Sequence, residues 1–314
     1  MPIVKPRKNS DQRRPGEYDI ILPGTYFCDL VFTGLSGMPS LGKEIFGNGF
    51  DILPGGTFNT ALALHRLGLR TGWAADFGND FFSQIVLRAA RREGLDGSLF
   101  RMHDFPLRSV TASLSYPEDR AFISFMDPME ARLPAEEVRQ YKPRCLLLPW
   151  LVYDEDAIRL IQLARQQGTF VYMDSQSNEA TLQDAGVVEA IRSVDVFAPN
   201  ATEAQRLTGK GPVEEALACL AELAPLVLIK LGKDGVIARQ GKQVVRAPAI
   251  KVAVVDTTGA GDCFNAGFLY GYLNGKPLEA CLRYGNLCGG LSTTARGCMA
   301  APTARQVERL FKQK

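Results

Sequence analysis

The sequence predicts an α/β protein: a parallel sheet covered on both faces, with a small separate β element. Three observations carry this. From residue 144 onward, short apolar runs alternate with stretches of helical spacing. Those runs are continuously apolar, as in strands buried on both faces. Earlier, residues 28–53 mix short apolar runs with many glycines and Pro39, which breaks the alternation and suggests short strands and turns.

The elements follow in order. Residues 18–22 (YDIIL) read as a first buried strand. Residues 57–67 have helical spacing, with Ala61, Leu62, Leu64 and Leu67 apolar and Gly68 as a stop. Residues 71–76 read as a strand and 80–93 as a helix ended by Gly94. Residues 110–116 and 121–125 form a hairpin around 117–120. Strands at 144–149, 169–173, 195–198 and 225–230 then alternate with helices at 155–167, around 187–191 and at 213–223. A second hairpin (235–239 and 243–246) and helices at 260–273, 278–294 and 303–311 complete the pattern.

Composition excludes several classes. In 314 residues, 36 Lys and Arg oppose 34 Asp and Glu, and a net charge of +2 gives no electrostatic reason to expect nucleic acid. No apolar run approaches the ~18–20 residues that span a bilayer, so no membrane role is expected. Residues 1–17 are basic and lack an apolar centre; they read as a flexible tail before one domain at 18–314. The seven cysteines are odd in number and form no C-x-x-C. They read as small buried hydrophobes in a reducing compartment, so a cytoplasmic location is expected. With only His65 and His103, a His-rich metal site is excluded.

The most informative segment is 256–267, DTTGAGDCFNAG. Gly259, Ala260 and Gly261 precede Asp262 and a helix of apolar periodicity. Small residues let a backbone approach a ligand, and free N–H groups at a helix start hold anions. Asp262 reads either as a base beside a bound phosphate or as an acid stabilising a helix start. Asn200 and Glu203 read as a capping pair, or as an amide and carboxylate near metal-bound phosphates. Gly232–Gly235 is a turn that could also contact a nucleotide. Residues 37–43 (GMPSLGK) only half match a P-loop, because Glu44 replaces Ser or Thr and no helix follows. A dinucleotide fingerprint at 259–264 fails at Phe264.

Together these segments resemble the PfkB family of carbohydrate kinases, the ribokinase-like group, over roughly residues 18–312. The family's C-terminal signature is similar to DTTGAGD at 256–262, and its N-terminal signature to 55–68 (GGTFNTALALHRLG) with FGND at 77–80. Its NxxE motif resembles Asn200 and Glu203, and its strand-end turn Gly232–Gly235. The resemblance implies a three-layer α/β/α sandwich around a mostly parallel sheet, with a β-sheet lid from about 25–53 and 108–126. It implies ATP- and Mg²⁺-dependent phosphorylation of a substrate hydroxyl. Asp262 would be the base, and the N–H groups of Gly259, Ala260 and Gly261 the anion hole. Held beside a helix start, Asp262 would stay ionised and be a weak base. Asp29, Gly55, Gly56 and Asn59 would bind the acceptor, a small sugar-like molecule. Asn200, Glu203, Lys230, Gly232, Gly235 and Asn286 would face the nucleotide, with Glu203 holding Mg²⁺ through water. Asp256 and Thr258 are candidates for a monovalent cation such as K⁺.

Departures from the family pattern narrow the acceptor. Pro54 replaces a signature glycine, and no Lys or Arg stands in the 55–59 loop, which disfavours a phosphosugar unless an arginine of the lid compensates. Phe27 and the strand end at Trp150 lack the polar groups expected for ribose. Tyr26, Phe27 and Trp150 could instead face a nucleoside base or a less polar sugar face. Lys230 at a strand end is expected to reach ATP phosphates. The exposed apolar residues Phe122, Ile123 and Phe125 of the lid suggest a homodimer through it. A nucleoside kinase of the same family and a catalytically idle sugar- or nucleotide-binding protein are the alternatives.

Overall fold

The computed structural model describes residues 17–116, 120–130, 132–176 and 179–313. The chain starts with β1 (Ile20–Pro23), β2 (Tyr26–Thr33), β3 (Gly49–Gly56), α1 (Thr57–Arg66), β4 (Thr71–Ala74), β5 (Asp76–Phe77) and α2 (Phe81–Glu93). It continues through β6 (Arg101–Met102), β7 (Ser109–Ser115), β8 (Arg120–Met126), α3 (Ala135–Tyr141), β9 (Cys145–Leu148), α4 (Glu155–Gln166) and β10 (Phe170–Asp174). Next come α5 (Val187–Ser193), β11 (Val196–Ala198), α6 (Ala201–Thr208), α7 (Val213–Leu220) and β12 (Leu226–Lys230). The last elements are β13 (Val236–Gln240), β14 (Gln243–Ala247), α8 (Ala260–Leu273), α9 (Leu278–Ser292) and α10 (Ala304–Phe311).

An eight-stranded sheet has the order β14-β13-β12-β11-β10-β9-β1-β4. The pairs from β12 to β4 are parallel, and β13 and β14 form the antiparallel edge. Its central strands are buried end to end, because helices cover both faces. Successive residues serve different cores. Ile20, Leu22, Leu147, Tyr172 and Leu228 join one cluster, with α1, α2, α8 and α9. Ile21, Leu146, Val171, Met173 and Val227 join the other, with α4, α5, α6 and α7. That is the three-layer sandwich expected.

A separate four-stranded sheet has the order β3-β2-β7-β8 and is built from the segments expected as a lid, which we term it. Its base is anchored by Tyr26, which is buried, stacks on Phe77 and donates to the Leu107 carbonyl at 2.5 Å. Tyr26 is therefore a core residue, and its ring is not available to a ligand.

Several details differ from the sequence reading; α7, expected over 213–223, stops at Leu220. Helix α3 was not anticipated, although Pro134 followed by Glu136 and Glu137 in its first turn is a start signal. The 71–76 strand divides, and β5 pairs with β6 instead of the main sheet. Helix α9 stops at Ser292, two residues early, where Thr293 turns back onto the Gly290 carbonyl. Most of the expected tail and part of the 117–120 turn lie outside the described residues. Six of the seven cysteines are buried, Cys219 is half-buried, and all are free thiols. Among the described residues no helix is long and apolar enough to cross a membrane.

Candidate active site

The carboxyl ends of the parallel strands point to one edge, where ligands bind in open α/β sheets. Asp174 ends β10, Asn200 follows β11 and Lys230 ends β12. The start of α8 lies beside them, and the lid rises above.

Asp256 folds the loop that delivers α8. Its carboxylate accepts from the Thr258 N–H (2.9 Å), the Thr258 hydroxyl (2.8 Å) and the Gly297 N–H (2.8 Å). Gly259 then adopts φ 71° at the helix N-cap, and a Cβ there would strike Cys298 Sγ. Glycine is required at this position both by conformation and by space. No side chain caps the helix. Among the described residues the N–H groups of Gly259 and Gly261 have no acceptor, whereas that of Ala260 donates to the Thr257 carbonyl at 3.2 Å. The expected anion hole thus has Gly259 and Gly261 as its open donors, with Ala260 partly committed.

Asp262 sits in the first turn of α8, and its Oδ1 accepts the Thr60 hydroxyl at 2.5 Å. Burial pushes its carboxyl up to about 6; the Thr60 bond and Lys230 oppose that, and Asp174 adds to it. The carboxyl therefore lies above the usual carboxylate range, because desolvation outweighs the favourable contacts; it still ionises at neutral pH, as the helix start led us to expect.

Lys230 lies beside this helix start, 3.6 Å from where a Cβ on Gly261 would stand. Its ammonium, however, donates to both oxygens of Asp174, at 2.7 and 2.6 Å. Asp174 also accepts the Asn265 amide at 2.5 Å, and Asn265 accepts the Tyr172 hydroxyl at 2.7 Å. The side chains of Lys230 and Asp174 are nearly buried, at 13% and 6% exposure. Breaking a buried pair is strongly unfavourable, so Asp174 holds the Lys230 ammonium at a fixed post beside the start of α8.

On the acceptor side, Asp29 is carried by β2, opposite Leu53 of β3. A Cβ on Gly55 would collide with the Asp29 carboxylate, which explains the glycine. Gly56, at φ 61°, turns the chain from β3 into α1. Burial pushes Asp29 up to about 6, with repulsion from Asp256 adding to it. Asn59 lies in α1 with its amide nitrogen against Gly259, and its Oδ1 is buried without a hydrogen-bond partner. Thr60 and Asn59 together tie the acceptor loop to the anion hole.

On the nucleotide side, Asn200 and Glu203 form a full capping box, with bonds of 2.9 and 2.8 Å. Glu203 is buried, and burial raises its pKa, aided by Asp174. One of its oxygens accepts the Asn200 N–H; the other has no partner among the described residues. That fits Mg²⁺, which keeps most of its waters and needs few protein ligands. Gly232 (φ 56°) and Gly235 (φ 90°) bracket a single 3₁₀ turn, Gly232–Asp234. Asn286 donates to the Ala247 and Pro248 carbonyls, both at 2.9 Å, and so fixes the segment beside that turn.

The monovalent-cation reading of Asp256 and Thr258 does not fit. Arg120 of the lid donates to Asp256 Oδ1 and the Thr258 hydroxyl, and at 2.6 Å to Thr257. A guanidinium already supplies the positive charge there, and both Asp256 oxygens have protein donors. Sequence reasoning missed Arg120, Thr60, Asp174 and Asn265. Only Asn265 had a local signal, three residues after Asp262 on the same helix.

A carboxylate beside open helix-start donors is an arrangement that suits activation of a hydroxyl toward an anionic group. The sequence pattern of the pfkB family of carbohydrate kinases matches residues 48–304. The chain belongs to that family and is a phosphotransferase with an alcohol group as acceptor. It is 32% identical to an uncharacterized sugar kinase of Archaeoglobus fulgidus, over 72% of this chain and 92% of that protein. It is 28% identical to the ribokinase of Bacillus subtilis, over 93% and 99% of the two chains. The structure of Arabidopsis thaliana ribokinase complexed with ribose and ATP superposes with a TM-score of 0.82 at 25% identity, covering 94% of this chain and 99% of that one.

Proposed function

We propose that this protein transfers the γ-phosphoryl group of ATP to a hydroxyl of a small sugar, with Asp262 taking the hydroxyl proton. The observation that carries the reading is the half-buried Asp262 carboxylate, held by Thr60 beside the open N–H groups of Gly259 and Gly261. Asp29 and Asn59 orient the acceptor. The two open N–H groups stabilise charge on the transferring group, and positioning dominates this chemistry. The nucleotide lies toward Gly232, Gly235 and Asn286. Mg²⁺, held near Glu203 through water, would neutralise phosphate charge. An idle binding protein would have no use for a base tuned in this way.

The test is ATP consumption with Mg²⁺ against free sugars, sugar acids, phosphosugars and nucleosides. Acceptor-dependent ADP formation is expected. ATP binding without turnover on any acceptor would instead favour the idle binder.

Arg120 makes a monovalent cation unnecessary. Turnover is expected to be equal in K⁺ and in a bulky organic cation of the same ionic strength. Arg120→Ala should uncover Asp256 and make turnover rise with K⁺. A wild type activated several-fold by K⁺ would contradict this.

A second copy of the chain is the expected partner of the outer lid face. Strand pairing places Leu30, Phe32, Phe50, Ile52, Ile123 and Phe125 on that face, and Ile123 is 67% exposed. Phe122, grouped with them from sequence, faces the other way, beneath the Arg120 guanidinium. Light scattering should report a dimer that Ile123→Asp dissociates; a wild-type monomer at micromolar concentration would exclude it.

A further inference from the structure

Resting on the kinase reading, we propose that Thr111 and Ser124 extend the acceptor site beyond Asp29 and select an uncharged acceptor with hydroxyls on successive carbons. The register of the lid carries this. Asp29 of β2 stands opposite Thr111 of β7, and Thr111 opposite Ser124 of β8. Directly opposed residues share a sheet face, so the three side chains form one transverse row. Other residues of that face show where it points. Arg120 reaches residues 256–258, Asp51 pairs with Arg296, and Gly55 lies under the Asp29 carboxylate. The row therefore faces the start of α8 across the cleft.

Its chemistry is complementary to a polyol. The Asp29 carboxylate accepts no hydrogen bond among the described residues, and Thr111 Oγ1 lies 3.0 Å from Ser124 Oγ. Each hydroxyl can donate once and accept twice, so the pair keeps capacity for a ligand. Strands lie ~4.8 Å apart, a spacing that hydroxyls of one sugar can bridge. Two residues along the same face, Ser109 and Met126 line a cavity of about 260 Å³ with Thr25, Asp76 and Trp150.

Charge argues against the alternatives. The guanidiniums nearest the row are paired: Arg120 with Asp256, Arg296 with Asp51 and Arg108 with Asp127; Arg132, which lines the cavity, pairs with Glu137 but keeps one buried N–H without a partner among the described residues. A phosphate or carboxylate on the acceptor would have to break one of these pairs while approaching Asp29 and Asp256. A nucleobase laid on the row would strand two hydroxyls.

The test measures acceptor and ATP kinetics for Thr111→Val, Ser124→Ala and Thr111→Ser. The wild type should use a neutral aldose, ketose or sugar alcohol, and should reject sugar acids, phosphosugars and nucleosides. Thr111→Val should raise the acceptor KM by about 5- to 10-fold with the ATP KM unchanged. Ser124→Ala should raise it less, and Thr111→Ser should restore it. Unchanged acceptor KM in both Thr111→Val and Ser124→Ala, or a preference for an anionic acceptor or a nucleoside, would overturn the proposal and leave the kinase intact. A wild type with no acceptor-dependent turnover would overturn the kinase reading and this proposal with it. Should Thr111→Val fail to fold, the Ser124→Ala and Thr111→Ser pair decides.

Discussion

Asp262→Asn lowers turnover by about 10²–10⁴ or more while the protein stays folded. Asparagine keeps the shape and the Thr60 contact but cannot take a proton. The same substitution is expected to stabilise the protein. Burial raises the Asp262 carboxyl from 3.8 to about 6 in the folded state. The folded state therefore favours the protonated form; this contribution is full below about 3.8 and lost as pH rises through about 6. At pH 7.5 the ionised wild type carries a penalty of order 3 kcal/mol that asparagine lacks. Thermal unfolding should show the variant melting higher at pH 7.5, with the gap narrowing as pH falls toward 4. A variant that loses activity and melts lower at pH 7.5 would mean that Asp262 serves the fold and not the reaction.

Asp29→Ala removes the carboxylate that accepts substrate hydroxyls. Hydrogen bonds to a charged group contribute roughly 1.5–3 kcal/mol each, so losing two lowers acceptor kcat/KM by about 10²–10⁴. The KM for ATP should not move, because Asp29 stands on the lid, away from the residues that face the nucleotide. An equal loss for both substrates would mean that the lid itself had been disturbed. Asp29 is also raised to about 6, by burial and then by Asp256. Both carboxylates must ionise, so log kcat/KM for the acceptor should rise below pH 6 with a slope approaching two. A slope of one would remove Asp29 from the titrating pair.

The sandwich was legible because its strands are buried on both faces. Runs such as 145–148 (CLLL) are then apolar throughout, and length separates them from helices. Asp262, Gly259 and Gly261 were legible for a local reason: a helix start is written in consecutive residues. What stayed hidden was made by folding distant segments together. Thr60 meets Asp262 across 202 positions, and Arg120 meets Asp256 across 136. No spacing rule joins them. The upward shift of the Asp262 carboxyl was hidden for the same reason, since the sequence shows the helix start but not the desolvation around it. The pairing of Lys230 was hidden because its partner, Asp174, lies on the neighbouring strand but one and is separated by 56 positions. The lid was foreseen as strands, but which face Phe122 takes depends on register, and the sequence places it with Ile123.

The Arg120 contact bears on timing as well as charge. One arginine at the tip of β8 spans to three side chains of the loop that begins α8. A latch of this kind holds the small sheet against the start of α8, so entry of the acceptor requires it to open. Association slows in proportion to the time spent shut, and so does escape of the phosphorylated product.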